Sequence, residues 1–529
     1  MQTKLSVGTG KKTAKVTAES MAQQHKEISV SEFFLKNRHL LGFDNPKKAL
    51  LTTVKEAVDN SLDAAEEAGI LPEVIVQAVS LEGDRFRVVI EDNGPGIIKE
   101  HVPRVFGKLL YGSKFHRLRC SRGQQGMGIS ASALYGQLTT RKAVKIWSKI
   151  ASKDVAWYFE LVIDTKSNEP QIIKEEQIEW AGKQHGIKVE LELEGKHTKG
   201  RQSVDDYLKQ VAIANPHSKI VYHSPDNIVT EFPAVSKQLP KEPKEIKPHP
   251  YGVELGILMK MLKDSNSRTL SGFLQSDFCR VSPKVAKEIC DKAKLYINAR
   301  PSRIAVQEMD ALYKAIQSTK IMAPPTDCLV PIGEAFLEKG LKKEIDAEFY
   351  TAVTRPPSVY RGNPFQIEVA LCYGGSLEAD NLVRIYRFAN RVPLLYQQSA
   401  CATYNAVLNT AWRNYGLSQS RGALPAGPVV VLIHMSSVWV PFTSEAKEAI
   451  AAYPEIIKEM RLAMQECGRR LGMHVRKKKR MQHEAKKKSY IEKYLPHIGI
   501  GLGEILNLKQ QEQEVVLVKL KDILERSRQ

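Results

Sequence analysis

Three short stretches carry residues whose types and spacing suit them to chemistry. In IEDNGPGI, Asp92 is followed by Gly94 and Gly96 in a D-x-G-x-G spacing. An aspartate accepts a hydrogen bond from an exocyclic amine, and glycines let backbone approach a flat ring closely. In SRGQQGMGISASALYGQL, Gly123, Gly126 and Gly128 form G-x-x-G-x-G ahead of a helical pattern. Such a loop aims backbone N–H groups at phosphate oxygens, and the helix N-terminus adds positive potential. In KEAVDNSLDAAEEAG, Glu56, Asn60 and Asp63 stand four and then three residues apart. On a helix, Asn60 lies about 40° round from Glu56 and Asp63 about 20° the other way, so all three share a face. Taken singly, each stretch has an ordinary reading: a turn between strands, a flexible glycine loop, and an amphipathic helix with a solvated acidic face. The loop is not a Walker A sequence, because no G-K-[ST] follows, and no strand leads tightly into it as in a Rossmann turn.

The elements that must position these residues can be read from pattern. DNPKKALLTTVKEAVDNSLDAAEEAG predicts a helix with Asn45 as N-cap, Pro46 at the first position and Gly69 at the C-terminal end. Its Leu50, Val54, Val58, Leu62 and Ala65 fall opposite the polar line. EVIVQAVSL, RFRVVIED, VKIWSKI, DVAWYFELVID and IKVELELEG read as strands, completing an α+β unit that ends near residue 230. A Pro- and Lys-rich connector (232–252) precedes a helical stretch (253–320), and a second break at APPTDC (323–328) opens a mixed region. That region has strand-like FQIEVALCYGG, VRIYRFANRVPLLY and VVVLIHMSSVWVPF, then a predicted helix SEAKEAIAAYPEIIKEMRLAMQECGRRLG, the basic RKKKRMQHEAKKK and helical EVVLVKLKDILERS. The expected division is a flexible tail (1–28), units at 29–235, 236–322 and 323–475, and a basic, helical C-terminal region (476–529).

With 529 residues the chain is too long for one ordinary domain, and 43% apolar with 26% charged residues marks it as globular. A net charge of +19 favours a polyanionic partner. The run 476–488 has eight basic residues against one acid, although such a run also reads as a solvated helix face. Seven cysteines show no CxxC pair and no zinc spacing, so free thiols in a reducing cytosol are expected. The N-terminus lacks the apolar core of a signal peptide. The most apolar window, 427–442, is too short to span a bilayer and predicts a buried strand.

E-x-x-x-N-x-x-D-A, D-x-G-x-G and G-x-x-G-x-G, in this order, make a pattern that resembles the GHKL ATPase superfamily. That superfamily includes type II topoisomerases, MutL proteins, heat-shock chaperones and sensor histidine kinases. Further runs narrow it: NSLDA, GILP, VPRVFGKLLYGSKF, KPHPYGVE, TRPPSVYRGNPFQIEVALCYGG, RFANRVPLLY and VPFTSEAKEAIA are similar to the topoisomerase VI B-subunit family. They extend from about residue 30 to residue 495. The resemblance implies an α+β multidomain chain: a GHKL (Bergerat) ATPase α/β sandwich, a small helix-two-turn-helix domain, and an α/β transducer domain with C-terminal helices.

It also implies roles. Glu56 would be the general base for hydrolysis of ATP, and Asn60 would hold Mg²⁺. Asp92 would take the adenine amine, with Gly94 and Gly96 making room for the base. Ser113, Lys114, Gly123, Gln124, Gln125, Gly126, Met127, Gly128, Ile129 and Ser130 would cover the phosphates, and Lys447 would reach the γ-phosphate from the transducer. The family usually has H-G-T where this chain reads QHGIKVEL, so Ile187 stands where a threonine hydroxyl is expected. Asp63 belongs to the motif without an assigned catalytic part. The implied partners are a DNA-cleaving A subunit in a heterotetramer of two A and two B subunits, a second copy of this chain joined through the GHKL domain on ATP binding, and double-stranded DNA. The implied setting is an archaeal cytoplasm, at the nucleoid, with no membrane. The nearest alternative is a GHKL clamp of the MutL or chaperone type without topoisomerase activity. A histidine kinase would need a phosphoacceptor on a long upstream helix, where the first 30 residues offer only His25. A basic scaffold with decayed ATP motifs is the non-enzymatic alternative.

Overall fold

The computed structural model describes residues 28–112, 118–123, 127–444 and 446–526. After a short helix α1 (Val30–Lys36) comes α2 (Pro46–Glu67). Its start follows from the sequence: Asn45 Oδ1 accepts the Lys48 backbone N–H at 2.9 Å, and Pro46 needs no donor partner. Just past its end Gly69 takes φ +70°, a left-handed conformation that favours glycine. Leu50, Val54, Val58 and Leu62 are buried, and each such side chain contributes about 1.5–3 kcal/mol.

Strands β1 (Glu73–Ser80) and β2 (Arg85–Asp92) form an antiparallel pair, followed by α3 (Val102–Gly107) and α4 (Gly128–Thr140). Then come β3 (Val144–Lys149), β4 (Ala156–Ile163), β5 (Pro170–Ile178) and β6 (Gly186–Glu194), α5 (Val204–Ala214), β7 (Lys219–His223) and β8 (Val229–Phe232). They make an eight-stranded sheet in the order β5-β4-β3-β6-β2-β1-β7-β8, on which α2, α4 and α5 pack to close the first core. β2 and β6 are central neighbours, with Ile90 opposite Val189. The C-terminal ends of α2 and β2 and the start of α4 therefore sit around one cleft.

Helices α6 (Leu255–Asp264), α7 (Leu270–Asp277), α8 (Pro283–Ala293) and α9 (Val306–Ser318) enclose a separate core around Phe273, Ile289 and Leu312. After α10 (Glu334–Glu344), a second sheet forms from β9 (Phe349–Thr354), β10 (Ser358–Tyr360), β11 (Asn363–Tyr373), β12 (Arg384–Ala389) and β13 (Val392–Pro393), together with β14 (Val429–Ser437) after the short α11 (Ala402–Leu408). Every residue of β14 is buried, as the apolar window predicts for a strand flanked on both sides. Ile213 and Ala214 at the end of α5 share a core with Leu337, Leu341, Phe388 and Leu432, so the two sheets are joined by apolar packing. All seven cysteines are buried and unpaired. Among the described residues, no helix is long and apolar enough to cross a membrane.

One expectation needs correction. The helix expected from Ser444 begins only at Pro454. Phe442 pairs with Ile450, and Thr443 N–H donates to the Ala449 carbonyl at 2.9 Å, so a tight loop occupies the segment instead. Tertiary pairing overrides the helix propensity of its Ala and Glu residues. Helix α12 (Pro454–Ile505) has 52 residues and is followed by α13 (Gln510–Arg526). It runs through residue 476 unbroken, so the compositional change there is a change of surface charge on a continuous helix. Its first turns bury Ile456, Met460, Met464 and Leu471 against the second sheet.

Candidate functional site

Glu56, Asn60, Asp92, Gly94, Gly96, Gly123, Gly128, Ile129 and Lys447 all line one cavity of about 310 Å³. Four different segments supply them: the polar face of α2, the turn after β2, the loop into α4, and the tight loop before α12. Ile90, Ile97, Val105, Phe106 and Val189 make the apolar walls at the Asp92 end. Flat apolar walls with one acceptor at the end suit a planar base.

Asp92 is 6% exposed, and its partners define what it can still do. Oδ1 accepts the backbone N–H groups of Gly94 at 2.9 Å and Ile187 at 3.1 Å, while Oδ2 accepts the Ser61 hydroxyl at 2.7 Å. Burial raises its pKa, and these donors work against that. Oδ2, with one donor, has further acceptor capacity, and Asp92 lines the cavity. Ile187 thus contributes its main chain to Asp92 and its side chain to the cavity wall. Sequence reasoning misses Ser61, since nothing in its spacing separates it from other helix serines. Gly96 sits at φ +76°, and a Cβ there would collide with the Lys149 carbonyl.

At the other end stand Glu56, Asn60, Gly123, Gly128 and Lys447. Gly128 begins α4 directly against the Glu56 carboxylate, with no space for a Cβ between them. A Cβ at Gly123 would meet the Asn60 amide oxygen at 3.9 Å, an ordinary contact. Ser130 is 1% exposed and its Oγ donates to the Met127 carbonyl at 3.2 Å, so its hydroxyl turns back onto the loop preceding the helix. Met127, half-buried, immediately precedes α4. Ser113, Lys114, Gln124, Gln125 and Gly126 lie outside the described residues.

Lys447 sits at φ +54° in its tight loop. Burial lowers its amine pKa, with attraction to Glu56 opposing that shift. Next to it, Glu448 forms an ion pair with Lys48 of α2 at 2.5 Å, which ties the loop to the same helix that carries Glu56. Asp59, one helix position from Asn60, is buried away from the cavity. Burial pushes its carboxyl up to about 7, and the Tyr207 hydroxyl donates to it at 3.0 Å.

Asp63 has a clear structural part. Its Oδ1 accepts from Arg122 at 2.7 Å, and the same guanidinium grips Glu66 with two bonds at 2.8 and 2.6 Å and Asn215 at 2.6 Å. Burial opposes the charge on Glu66, but Arg122 and His217 outweigh it and hold the carboxyl well below its ordinary range. Arg122 immediately precedes Gly123, so this buried fork anchors one end of the glycine loop to α2.

Family comparisons give this geometry a context. Residues 45–164 match the family described as histidine kinase-, DNA gyrase B- and HSP90-like ATPase, and residues 324–488 match the transducer of the topoisomerase VI B subunit. The chain is 48% identical over 501 residues to the B subunit of type 2 DNA topoisomerase 6 from Archaeoglobus fulgidus, covering 94% of this chain and 83% of that one. It is 48% identical over 504 residues to the protein of the same name from Methanosarcina barkeri, covering 95% and 81%. With the Natronomonas pharaonis protein it shares 36% over 689 residues, covering 95% and 86%. A GHKL-type ATPase unit, a transducer unit and near full-length identity to these relatives converge: the chain belongs to the topoisomerase VI B-subunit family, the ATPase subunits of a type IIB DNA topoisomerase.

Proposed function

We propose that this chain binds and hydrolyses ATP in the cavity between α2, β2, α4 and the Lys447 loop, and uses the cycle to drive passage of one DNA duplex through another. The observation that carries this is the convergence of Glu56, Asn60, Asp92, the glycines and Lys447, drawn from distant segments, on one cavity. Asp92 Oδ2 accepts the adenine amine, and the walls around Ile90 and Val189 hold the ring. The loop from Gly123 to Ile129 and the helix dipole of α4 take the phosphates, with Ser113, Lys114, Gln124, Gln125 and Gly126 assigned to the same cover. Glu56 orients the attacking water and takes its proton as the bond from γ-phosphorus to the bridging oxygen breaks. Lys447 holds the γ-phosphate, so its loop follows the nucleotide state.

Asn60 fits Mg²⁺. Its amide is exposed to the cavity, and the described residues contain no group of three or more His, Cys, Asp or Glu that could hold a metal ion. Mg²⁺ suits one or two protein oxygens completed by phosphates and water. When bound it offsets phosphate charge.

The units at 29–235, 236–322 and 323–475 are assigned as ATPase, helix-two-turn-helix and transducer domains, with 1–28 and 476–529 as terminal regions. ATP binding joins two copies of this chain through their ATPase domains, and two A subunits complete a heterotetramer and cut the DNA. The exposed basic residues of α12 attract duplex phosphates in a salt-dependent way. The complex works in the cytoplasm, on chromosomal DNA. Glu56→Ala tests the assignment: ATP binding is retained and steady-state hydrolysis falls by about 10²-fold or more. Hydrolysis at the wild-type rate would remove Glu56 from its place.

A further inference from the structure

The hairpin β12–β13 closes with only two residues, Asn390 and Arg391, between the paired Ala389 and Val392. Both lie in the left-handed region, at φ +48° and +69°. That is the signature of a type I′ turn, which favours asparagine first and glycine second. Arginine at the second position is strained, and here it is also 8% exposed. Its guanidinium donates to the carbonyls of Ala214 at 3.4 Å and Pro331 at 3.1 Å, its Nε has no hydrogen-bond partner, and its backbone N–H donates to His434 Nε2 at 3.0 Å. Both acceptors of the guanidinium are carbonyls, not carboxylates. A guanidinium buried against neutral acceptors and a strained backbone are two costs at one residue, where a glycine would carry neither.

Asn390 shows where this tip reaches. Its Nδ2 donates to the Ser121 carbonyl at 3.0 Å and to the Ser437 carbonyl at 2.9 Å. Its Oδ1 accepts the Ser437 N–H at 2.9 Å and the Cys120 thiol at 3.1 Å. One amide thus spans the end of β14 in the second sheet and the Cys120–Ser121 segment that runs through Arg122 into Gly123 at the nucleotide cavity. Asn60, Ser121, Gly123, Asn390 and Lys447 border one small space.

We propose that the Asn390–Arg391 turn is a positioning element for ATP turnover. It holds the Cys120–Gly123 segment in register with the second sheet, independently of Lys447, so that movement of that sheet shifts Gly123 at the cavity. The inference rests on the ATPase assignment above and adds a second contact through which the transducer acts on the nucleotide.

Arg391→Gly and Asn390→Gly test it, since glycine accepts the left-handed backbone at both positions. The full chain is assayed for ATP hydrolysis, for binding of a non-hydrolysable ATP analogue, and for thermal unfolding. A positioning role predicts that kcat falls about tenfold or more while analogue affinity changes less than about threefold, with the melting temperature unchanged or raised in Arg391→Gly and lowered in Asn390→Gly, whose buried partners lose the amide. Wild-type kcat in both variants overturns the proposal and leaves the ATPase assignment standing. Loss of analogue binding with a lowered melting temperature in both also overturns it, because the turn would then serve the fold alone. Wild-type turnover, abolished by Glu56→Ala, is the reference that tests the ATPase assignment separately.

Discussion

Replacing Gly128 by alanine puts one methyl group against the Glu56 carboxylate. The added Cβ would lie 2.5 Å from Glu56 Cδ and 2.8 Å from its Cγ, where carbon pairs rest at about 3.5–4.0 Å. Relief requires the carboxylate to move by about 1 Å, because Gly128 is fixed at the first position of α4 while the Glu56 side chain can rotate. A displacement of that size at a catalytic group costs on the order of 10²-fold in rate. The fold itself should not suffer. Gly128 is not in the left-handed region, and alanine is the better helix former by about 1 kcal/mol. Steady-state ATP hydrolysis, analogue binding and thermal melting together give the answer. A hundredfold lower kcat in a chain that melts no earlier than wild type is expected. A kcat within about threefold of wild type would refute the placement of Glu56 at the reacting end of the cavity.

Removing the buried fork at Arg122 takes the cation from between two buried carboxylates, Asp63 and Glu66. Arg122→Met should destabilise the first unit by about 3–5 kcal/mol, which for a unit of this size lowers its melting temperature by about 10 °C; a shift below about 2 °C would show that Asp63 and Glu66 do not depend on it. Asp59 is pushed up to about 7 by burial. An acid raised on folding stabilises the fold below its unfolded pKa and loses that contribution as pH rises through the folded value. Asp59→Asn should therefore raise the melting temperature at pH 8 and leave it unchanged at pH 3; an equal shift at both pH values would contradict the assignment.

Much of the site is legible in the residues because local chemistry dictates it. Asn45, Pro46 and Gly69 bound α2, the apolar stripe orients it, and the glycine spacings mark the two close approaches. What stays hidden at that level depends on distant partners. The acidic face of α2 reads as solvated, yet Asp63 and Glu66 meet Arg122, and no periodicity forecasts that pairing. Ser61 and the Ile187 amide complete Asp92 only after β6 is laid beside β2. The loop carrying Lys447 reads as helical because its residues favour helix, and the Phe442–Ile450 pairing overrules them. Strand β5, PQIIKEEQI, shows no alternation because it is an edge strand exposed along nearly its whole length.

Turnover of ATP in this cavity is proposed to drive strand passage. Its most direct test is decatenation of interlinked DNA circles by this chain together with its A subunit, with and without ATP, beside the Glu56→Ala chain. Separation of the circles should require ATP and proceed at least tenfold more slowly with the variant. Separation without ATP, or ATP hydrolysis by the complex with no separation of the circles, would contradict it.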